Sequence, residues 1–212
     1  SSDLKLIKRP GGSSQLDKHQ HDPERLRMLL DFNPTVNELF FARTVVLVEG
    51  DSEIAAYMAM VSSIARSAKK PDREIQNLLR EISIINCHGK DTIPAMQRVL
   101  NAFQIEYSVI HDQDSDDNSA NSKISSLLGR DLERRLLVHN KNFEREIMGK
   151  TLHRRKPWAV YQWVMQKGEV NWPQSLLRFF KFIIGADLYQ KMALPEPATR
   201  RTRHVACPRQ LT

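Results

Sequence analysis

Residues 111–117 read HDQDSDD, so four carboxylates fall within six positions directly after the apolar stretch YSVI. Clustered aspartates repel one another unless a cation lies between them, and a hard divalent cation takes oxygen ligands of this kind. The chain carries a formal net charge of +7, so this acidic cluster runs against its overall balance. We interpret the stretch as a candidate metal site, with Asp112 and Asp114 as ligands and Asp116 as a lesser candidate.

Two other interpretations of this stretch are a calcium loop and a solvated acidic turn. The alternation of oxygen-bearing residues from Asp112 is typical of a helix–loop–helix calcium site, which needs Gly at its sixth position and Glu at its twelfth. Those positions hold Asp117 and Lys123, which excludes the calcium loop. The solvated turn stays open for the stretch taken alone, and it is the role we expect for Asp117.

A second acidic element follows another apolar stretch. TVVLV (44–48) runs directly into EGDSE, which places Glu49 at a predicted strand end and Glu53 about one helical turn later. Gly50 is expected to permit a tight turn between strand and helix. In open parallel sheets, ligands bind outside the carboxyl ends of the strands. The two acidic elements therefore converge on one edge of the sheet if their strands are neighbours.

The elements that must position these acids alternate along the chain. Strands are predicted at 44–48, 82–87, 107–111 and 134–139, and helices at 51–68, 92–103 and 121–132. This alternation predicts an α/β fold with a mostly parallel sheet flanked by helices.

A helical C-terminal part is predicted from residues 156–167 and 175–191, which Trp172 and Pro173 separate. Trp158, Tyr161 and Met165 recur there at helical spacing. We interpret them as a face packed in the core, in preference to a platform on which bases stack.

Composition narrows the class of protein. The 212 residues, 41% of them hydrophobic, can form one substantial domain, and no run is long and apolar enough to span a membrane. The only cysteines, Cys87 and Cys207, give no disulfide framework, so we expect a soluble cytoplasmic protein without zinc. A sequence pI near 9.5 favours a polyanionic partner such as DNA or RNA.

We divide the chain into four parts. Residues 1–25 show no apolar period and read as a flexible lead-in, followed by the α/β domain at 26–155 and the helical part at 156–193. Residues 194–212 are rich in proline and arginine, so we interpret them as a basic, disordered tail.

A glutamate and a glycine after one apolar strand, with a distant Asp-x-Asp after another, resemble the Toprim domain of topoisomerases, primases, recombination proteins and some nucleases. Three longer stretches, at 32–53, 85–93 and 105–117, resemble the C-terminal catalytic region of an OLD-family (overcoming lysogenization defect) nuclease. The resemblance covers about residues 30–165. It implies a Toprim sheet and cleavage of DNA with divalent metal ions.

The resemblance also implies partners. In family members this region is joined covalently to an ABC-type ATPase domain, which we expect in the full-length protein. A homo-oligomer of the full-length protein is also compatible with the resemblance. No Gly-x-x-x-x-Gly-Lys-Ser/Thr motif occurs in the 212 residues, so we expect no ATP site in this chain. We expect the protein to bind DNA and not to associate with a membrane.

Two more stretches match positions that the family uses. NFEREIMG (142–149) lies where family members supply another acidic ligand, with Glu144 as first choice and Glu146 as second. An ordinary helix start, where acids favour the N-terminus, remains the alternative. KPW (156–158) matches a lysine near the scissile phosphate, so Lys156 is a candidate catalytic residue, or else a solvated lysine before a helix that starts with proline.

The expected chemistry is phosphodiester cleavage with two Mg²⁺ or Mn²⁺ ions. The ions activate the attacking water and neutralise charge on the phosphoryl oxygens. Glu49 is a metal ligand and also a candidate for moving the proton of the water, whereas His111 is expected to be structural. Two other functions stay open. One is a Toprim domain that binds nucleic acid or mediates assembly without cutting, and the other is an aspartyl-phosphate phosphatase with Asp112 as nucleophile.

Overall fold

A computed structural model describes residues 42–67, 72–113, 118–140 and 142–198 of the chain. The predicted lead-in, most of the predicted tail, and the three acids Asp114, Asp116 and Asp117 lie outside these described residues. The central sheet, its flanking helices and the C-terminal helices lie within them.

Four parallel strands form one sheet in the order β2-β1-β3-β4. The strands are β1 (Thr44–Val48), β2 (Ile82–Asn86), β3 (Tyr107–Asp112) and β4 (Leu136–His139). The predicted α/β fold is confirmed. Because β1 and β3 are direct neighbours, with Val48 opposite Ile110, the residues that follow Val48 lie beside Asp112 at the same edge of the sheet.

Nine α-helices flank this sheet in the described part of the chain. They are α1 (Asp51–Arg66), α2 (Arg73–Arg80), α3 (Ile93–Ala102), α4 (Asn118–Leu128), α5 (Leu132–Arg135), α6 (Phe143–Met148), α7 (Lys156–Lys167), α8 (Gln174–Ile184) and α9 (Ala186–Lys191). The predicted C-terminal helix at 175–191 is therefore two helices, which meet at Gly185 with a φ of 83°. That left-handed backbone is readily adopted only by glycine, so it ends α8 there.

The sequence patterns missed α2 and misplaced the start of β4. Helix α2 buries only Ile75 and Leu79, which are too few for an apolar period to stand out in the sequence. Its N-terminus is capped by Asp72, whose side chain accepts a hydrogen bond of 2.8 Å from the backbone N–H of Ile75. The predicted strand at 134–139 begins only at Leu136, because Arg134 and Arg135 belong to α5.

The sheet has a hydrophobic core on each face, because successive strand residues point to opposite sides. Val46, Val48 and Ile110 pack on the side of α1, α7 and α8, whereas Val45 and Leu47 pack on the side of α3 and α4. The helices after residue 156 thus share a core with β1 and with α1.

The predicted core face on α7 is wrong for Trp158. The side chains that α7 buries are Val160 and Val164, whereas Trp158 is 58% exposed and Tyr161 and Met165 are only partly buried. The aromatic residues share helical spacing, but the β-branched pair at 160 and 164 presents the face that fits against α1.

We predict that Phe180→Ala lowers the free energy of unfolding by about 3–5 kcal/mol, because Phe180 is fully buried among Tyr57, Trp172 and Tyr189. Urea denaturation followed by circular dichroism measures this loss. The control is Val170→Ala, since Val170 is 86% exposed and its truncation should change stability by less than about 0.5 kcal/mol. A loss of under about 1 kcal/mol for Phe180→Ala would show that α8 is not packed as described.

Among the described residues, no helix is both long enough and apolar enough to cross a membrane.

Candidate functional site

A cleft of about 370 Å³ opens at the carboxyl edge of the sheet, where the predicted acidic elements end. Among the described residues, its carboxylates are Glu49, Asp51, Glu53, Asp112 and Glu144, and its cations are Arg155 and Lys156. The cleft therefore gathers acids from the ends of two neighbouring strands and from two helices, together with the first residues of α7.

Glu49 joins the ends of β1 and β3. Its Oε2 accepts a hydrogen bond of 3.1 Å from the backbone N–H of Asp112, while its own carbonyl accepts one of 2.8 Å from the N–H of Gly89. Gly89, in the loop after β2, has a φ of 116°, a backbone that side-chain-bearing residues rarely adopt. The loop after β2 and the two strand ends are thereby tied together around the Glu49 carboxylate.

Gly50 does not make the turn that the sequence predicted for it. Its backbone is extended, with φ −154° and ψ −172°, and a Cβ placed there would meet the Glu53 Oε2 at an ordinary contact distance of 3.8 Å. Other residues can adopt this conformation. The turn into α1 is compatible with a side chain at position 50, and the glycine that the local geometry requires is Gly89.

Glu53 lies in the first turn of α1 and is 3% exposed. Burial raises its pKa well above the usual value, and the nearby negative charges of Asp112, Glu49 and Glu144 raise that pKa further. This coupling shows that the four carboxylates share one electrostatic environment. A cation among them would offset both the desolvation and the repulsion.

Glu144 lies in the first turn of α6, a helix held by Asn142, whose side chain accepts from the N–H of Arg145 at 2.9 Å. The buried Glu144 Oε1 accepts a hydrogen bond of 2.8 Å from the Ser52 hydroxyl and lies 3.6 Å from the Lys156 Nζ. The side chain of Lys156 is 44% exposed, so its ammonium remains accessible from the cleft. Lys156 therefore lies against a site acid while part of its side chain stays exposed.

The structure does not bring Glu146 into this cleft. Its carboxylate lies 3.3 Å from the Nδ1 of His139 and 3.9 Å from a guanidinium nitrogen of Arg178, and it accepts from the N–H of Asn140 at 3.1 Å. Glu144 and Glu146 are two positions apart on α6, which turns them to different sides of the helix. Of the two acids predicted in this segment, Glu144 is the one at the cleft.

His111 is 1% exposed on β3, and its Nδ1 lies 2.8 Å from the carbonyl oxygen of Asp112. It does not line the cleft. The structural role that the sequence indicated for it agrees with this placement.

Three cleft residues escaped the sequence patterns. Asp51 accepts a hydrogen bond of 2.6 Å from the side chain of Asn86, Ser52 holds Glu144, and Arg155 precedes α7 with a left-handed φ of 48°. The acidic EGDSE stretch could have suggested Asp51. Nothing local marks Ser52, because its partner lies 92 residues further along the chain.

The described carboxylates do not form a complete metal-binding set. No group of three His, Cys, Asp or Glu side chains in the described part of the chain is placed to hold one ion. Their chemistry nevertheless fits Mg²⁺ or Mn²⁺, since the described lining of the cleft offers carboxylate oxygens without a thiolate or an imidazole. The predicted ligand Asp114, two residues after the end of β3, lies outside the described residues.

A larger cavity, of about 1000 Å³, lies at the opposite edge of the sheet. It is lined by Thr44 and Ile82, the first residues of β1 and β2, and among its described residues Asp187 is the only acid. The acidic site is therefore not in the larger of these two cavities. Its position agrees instead with the rule that open parallel sheets bind their ligands at the carboxyl edge.

Comparison with known families bears directly on the acidic edge. Residues 40–114 match the model of the "Overcoming lysogenization defect protein-like, TOPRIM domain" family. This part of the chain is similar to an OLD-like Toprim domain. The matched segment runs from just before β1 to Asp114 and includes Glu49, Glu53 and Asp112. No curated protein matches the chain.

Toprim domains bind divalent metals such as Mg²⁺ and are typically metal-dependent nucleases or primases. The Toprim match thus identifies a metal-binding domain related to nucleic acids. Glu144 and Lys156 lie beyond the matched residues, so their part in the site rests on the geometry of the cleft.

Proposed function

We propose that this Toprim domain is a divalent-metal-dependent DNA endonuclease domain that cleaves or nicks phosphodiester bonds. The observation that carries the proposal is the convergence of Glu49, Glu53, Asp112 and Glu144 in one cleft beside Lys156. The Toprim match supports metal binding and an interaction with nucleic acid, and the net charge of +7 supports a polyanionic substrate.

Glu49, Glu53 and Asp112 would hold the metal, with Asp114 and, as a lesser ligand, Asp116 after them. Glu144 would complete the set from α6. Mg²⁺ or Mn²⁺, as two ions per site, would supply an activated water and neutralise charge on the phosphoryl oxygens.

The chain itself supplies orientation and proton movement. We expect the Glu49 carboxylate, which accepts a hydrogen bond from the N–H of Asp112, to take a proton from the attacking water. The Lys156 ammonium, partly exposed and 3.6 Å from Glu144, would stabilise negative charge on the transition state or the leaving oxygen. Ser52 holds Glu144 in position through its hydroxyl.

Incubation of supercoiled plasmid with the purified chain and Mg²⁺ or Mn²⁺ tests the proposal. We expect nicked or linear product with either metal, and none with EDTA. Intact plasmid under all metal conditions would refute the endonuclease.

One observation favours a second candidate, a Toprim domain that binds nucleic acid or mediates assembly without cutting. The described residues form no complete group of three metal donors, and an incomplete site could bind one ion without turnover. Binding of metal and DNA without cleavage would support this candidate. The aspartyl-phosphate phosphatase is less favoured, since it leaves Glu49 and Glu53 without a role, and covalent trapping of a phosphoryl mimic on Asp112 would support it.

We further predict that DNA binding is largely independent of sequence and weakens steeply with salt, because Lys and Arg side chains that neutralise phosphates release counterions. The measurement is anisotropy of a labelled duplex in EDTA across a salt series. A dissociation constant that stays the same between low and physiological salt would contradict the prediction.

Three further predictions rest on the family resemblance and on composition alone. The full-length protein is predicted to carry a covalently linked ABC-type ATPase domain, to form a homo-oligomer and to lie in the cytoplasm.

A further inference from the structure

Trp158 and Tyr161 form a parallel aromatic pair on α7. Their rings are stacked, with centroids 5.9 Å apart and planes 4° from parallel, and Trp158 is 58% exposed. Large apolar side chains that remain this exposed are few among the described residues, where only Met58, Trp158 and Val170 qualify. The exposed indole, parallel to the half-buried phenol ring, is therefore a large aromatic surface that solvent can reach.

The segment of the chain that carries this aromatic pair is basic. Lys150, Arg154 and Arg155 precede it as exposed residues, and Lys167 follows at the end of α7. No Asp or Glu occurs between Ile147 and Gly168. An apolar face within a basic segment is suited to a ligand that combines negative charge with a flat ring, and a nucleic acid strand does so.

The aromatic pair also lies next to the cleft along the chain. Arg155, Lys156 and Pro157 line the cleft, and Trp158 is the next residue of α7. Pro157 lines the cleft, and Tyr161 follows it four positions later, which places these two residues on the same side of α7. A strand that leaves the cleft past Pro157 therefore reaches the aromatic pair.

We propose that Trp158 and Tyr161 form a stacking platform for an unpaired base of the DNA strand that enters the cleft, an inference that rests on the proposed function. A base inside a duplex is stacked by its neighbours on both faces, so the platform selects single-stranded or locally opened DNA. Stacking on aromatic side chains is tolerant of sequence, because every base has a π-face. Lys156 and Arg155 contact the phosphates, while the platform holds the base beside them.

The test compares two probes that carry the same phosphates. One is a labelled single-stranded oligonucleotide, and the other is its fully abasic counterpart, both measured by anisotropy in EDTA so that nothing is cleaved. We expect Trp158→Ala to weaken binding of the base-bearing strand by about tenfold, since stacking a base on one aromatic residue contributes at this level. Trp158→Phe should keep most of the affinity, because it retains an aromatic face.

The abasic probe separates stacking from charge and from misfolding. The parent and Trp158→Ala should bind it equally, since it offers nothing to stack. Val170→Ala, which truncates another exposed apolar residue, is the matched control and should bind the base-bearing strand like the parent.

Two binding results would overturn the platform: unchanged binding of the base-bearing strand by Trp158→Ala, or an equal loss on both probes. A third is a parent dimer in sedimentation that Trp158→Ala dissociates, because it would assign the aromatic face to a second copy of the chain. The proposed nuclease has its own readout. If the parent fails to nick plasmid while the two-probe difference holds, the nuclease fails and the platform stands. If the parent nicks plasmid and the difference is absent, the platform alone fails.

Discussion

Asp112→Asn is expected to abolish metal-dependent cleavage, with a loss of at least about a thousandfold in rate, because it removes a carboxylate from the end of β3 where the acidic cluster converges. The amide keeps the shape of the side chain, and the backbone N–H of Asp112 can still donate to Glu49. Nicking of supercoiled plasmid at saturating Mn²⁺ measures the effect. Glu49→Gln is expected to give a loss of similar size.

The fold should survive both substitutions. Buried Glu53 has a raised pKa partly because Asp112 and Glu49 are negative, so removal of one charge relieves repulsion in the metal-free protein. We therefore expect the free energy of unfolding without metal to hold or rise. Glu133→Gln, which neutralises an exposed acid on α5, is the control and should cleave like the parent. Cleavage by Asp112→Asn at the parental rate would contradict the assignment of the site.

Lys156→Ala is expected to lower the rate of single-turnover cleavage by about 10²–10³-fold, while metal affinity and DNA affinity change little. The lysine lies 3.6 Å from Glu144 and is half exposed to the cleft, so its charge is available to the transition state. Measurement at saturating DNA and metal removes binding from the observed rate. Lys156→Arg should recover part of the rate, because it keeps the charge but alters the geometry.

The alternative for Lys156 is an ordinary surface cation. In that case Lys156→Ala would weaken DNA binding modestly, reduce the salt slope by about one and leave the saturated rate within about threefold of the parent. Lys167→Ala is the matched control, since Lys167 lies at the other end of the same helix and contacts the ring of Trp163. A saturated rate that falls equally in both variants would also contradict a specific role for Lys156.

The acidic edge of the sheet could be predicted from the sequence because its cause is local. TVVLV is a strand of mostly β-branched residues that is followed directly by an acid, and β1 occupies the predicted residues 44–48. The pairing of β1 with β3 could not be derived from either strand alone. The sequence could state the convergence of Glu49 and Asp112 only as a condition, which the parallel register now meets.

The misses come from contacts between distant parts of the chain. Arg135 ends a helix instead of starting a strand, and there its Nε donates to the carbonyl of Tyr107 at 2.8 Å while its guanidinium lies over the Tyr107 ring. Trp158 was assigned to the core because its helical spacing is that of a core face, but Val160 and Val164 fill the contact with α1. Spacing identifies a face of a helix, whereas only the packing partner decides which face is buried.

Mn²⁺ binding, followed by the electron paramagnetic resonance signal of the free ion, tests most directly whether the acids at this edge form a metal centre. The parent and Asp112→Asn are titrated side by side without DNA, with Glu133→Gln as the control. We expect the parent and Glu133→Gln to remove Mn²⁺ from solution and Asp112→Asn to lose most of this binding. Binding by Asp112→Asn equal to that of the parent, or no binding by the parent, would contradict a metal centre at the ends of β1 and β3.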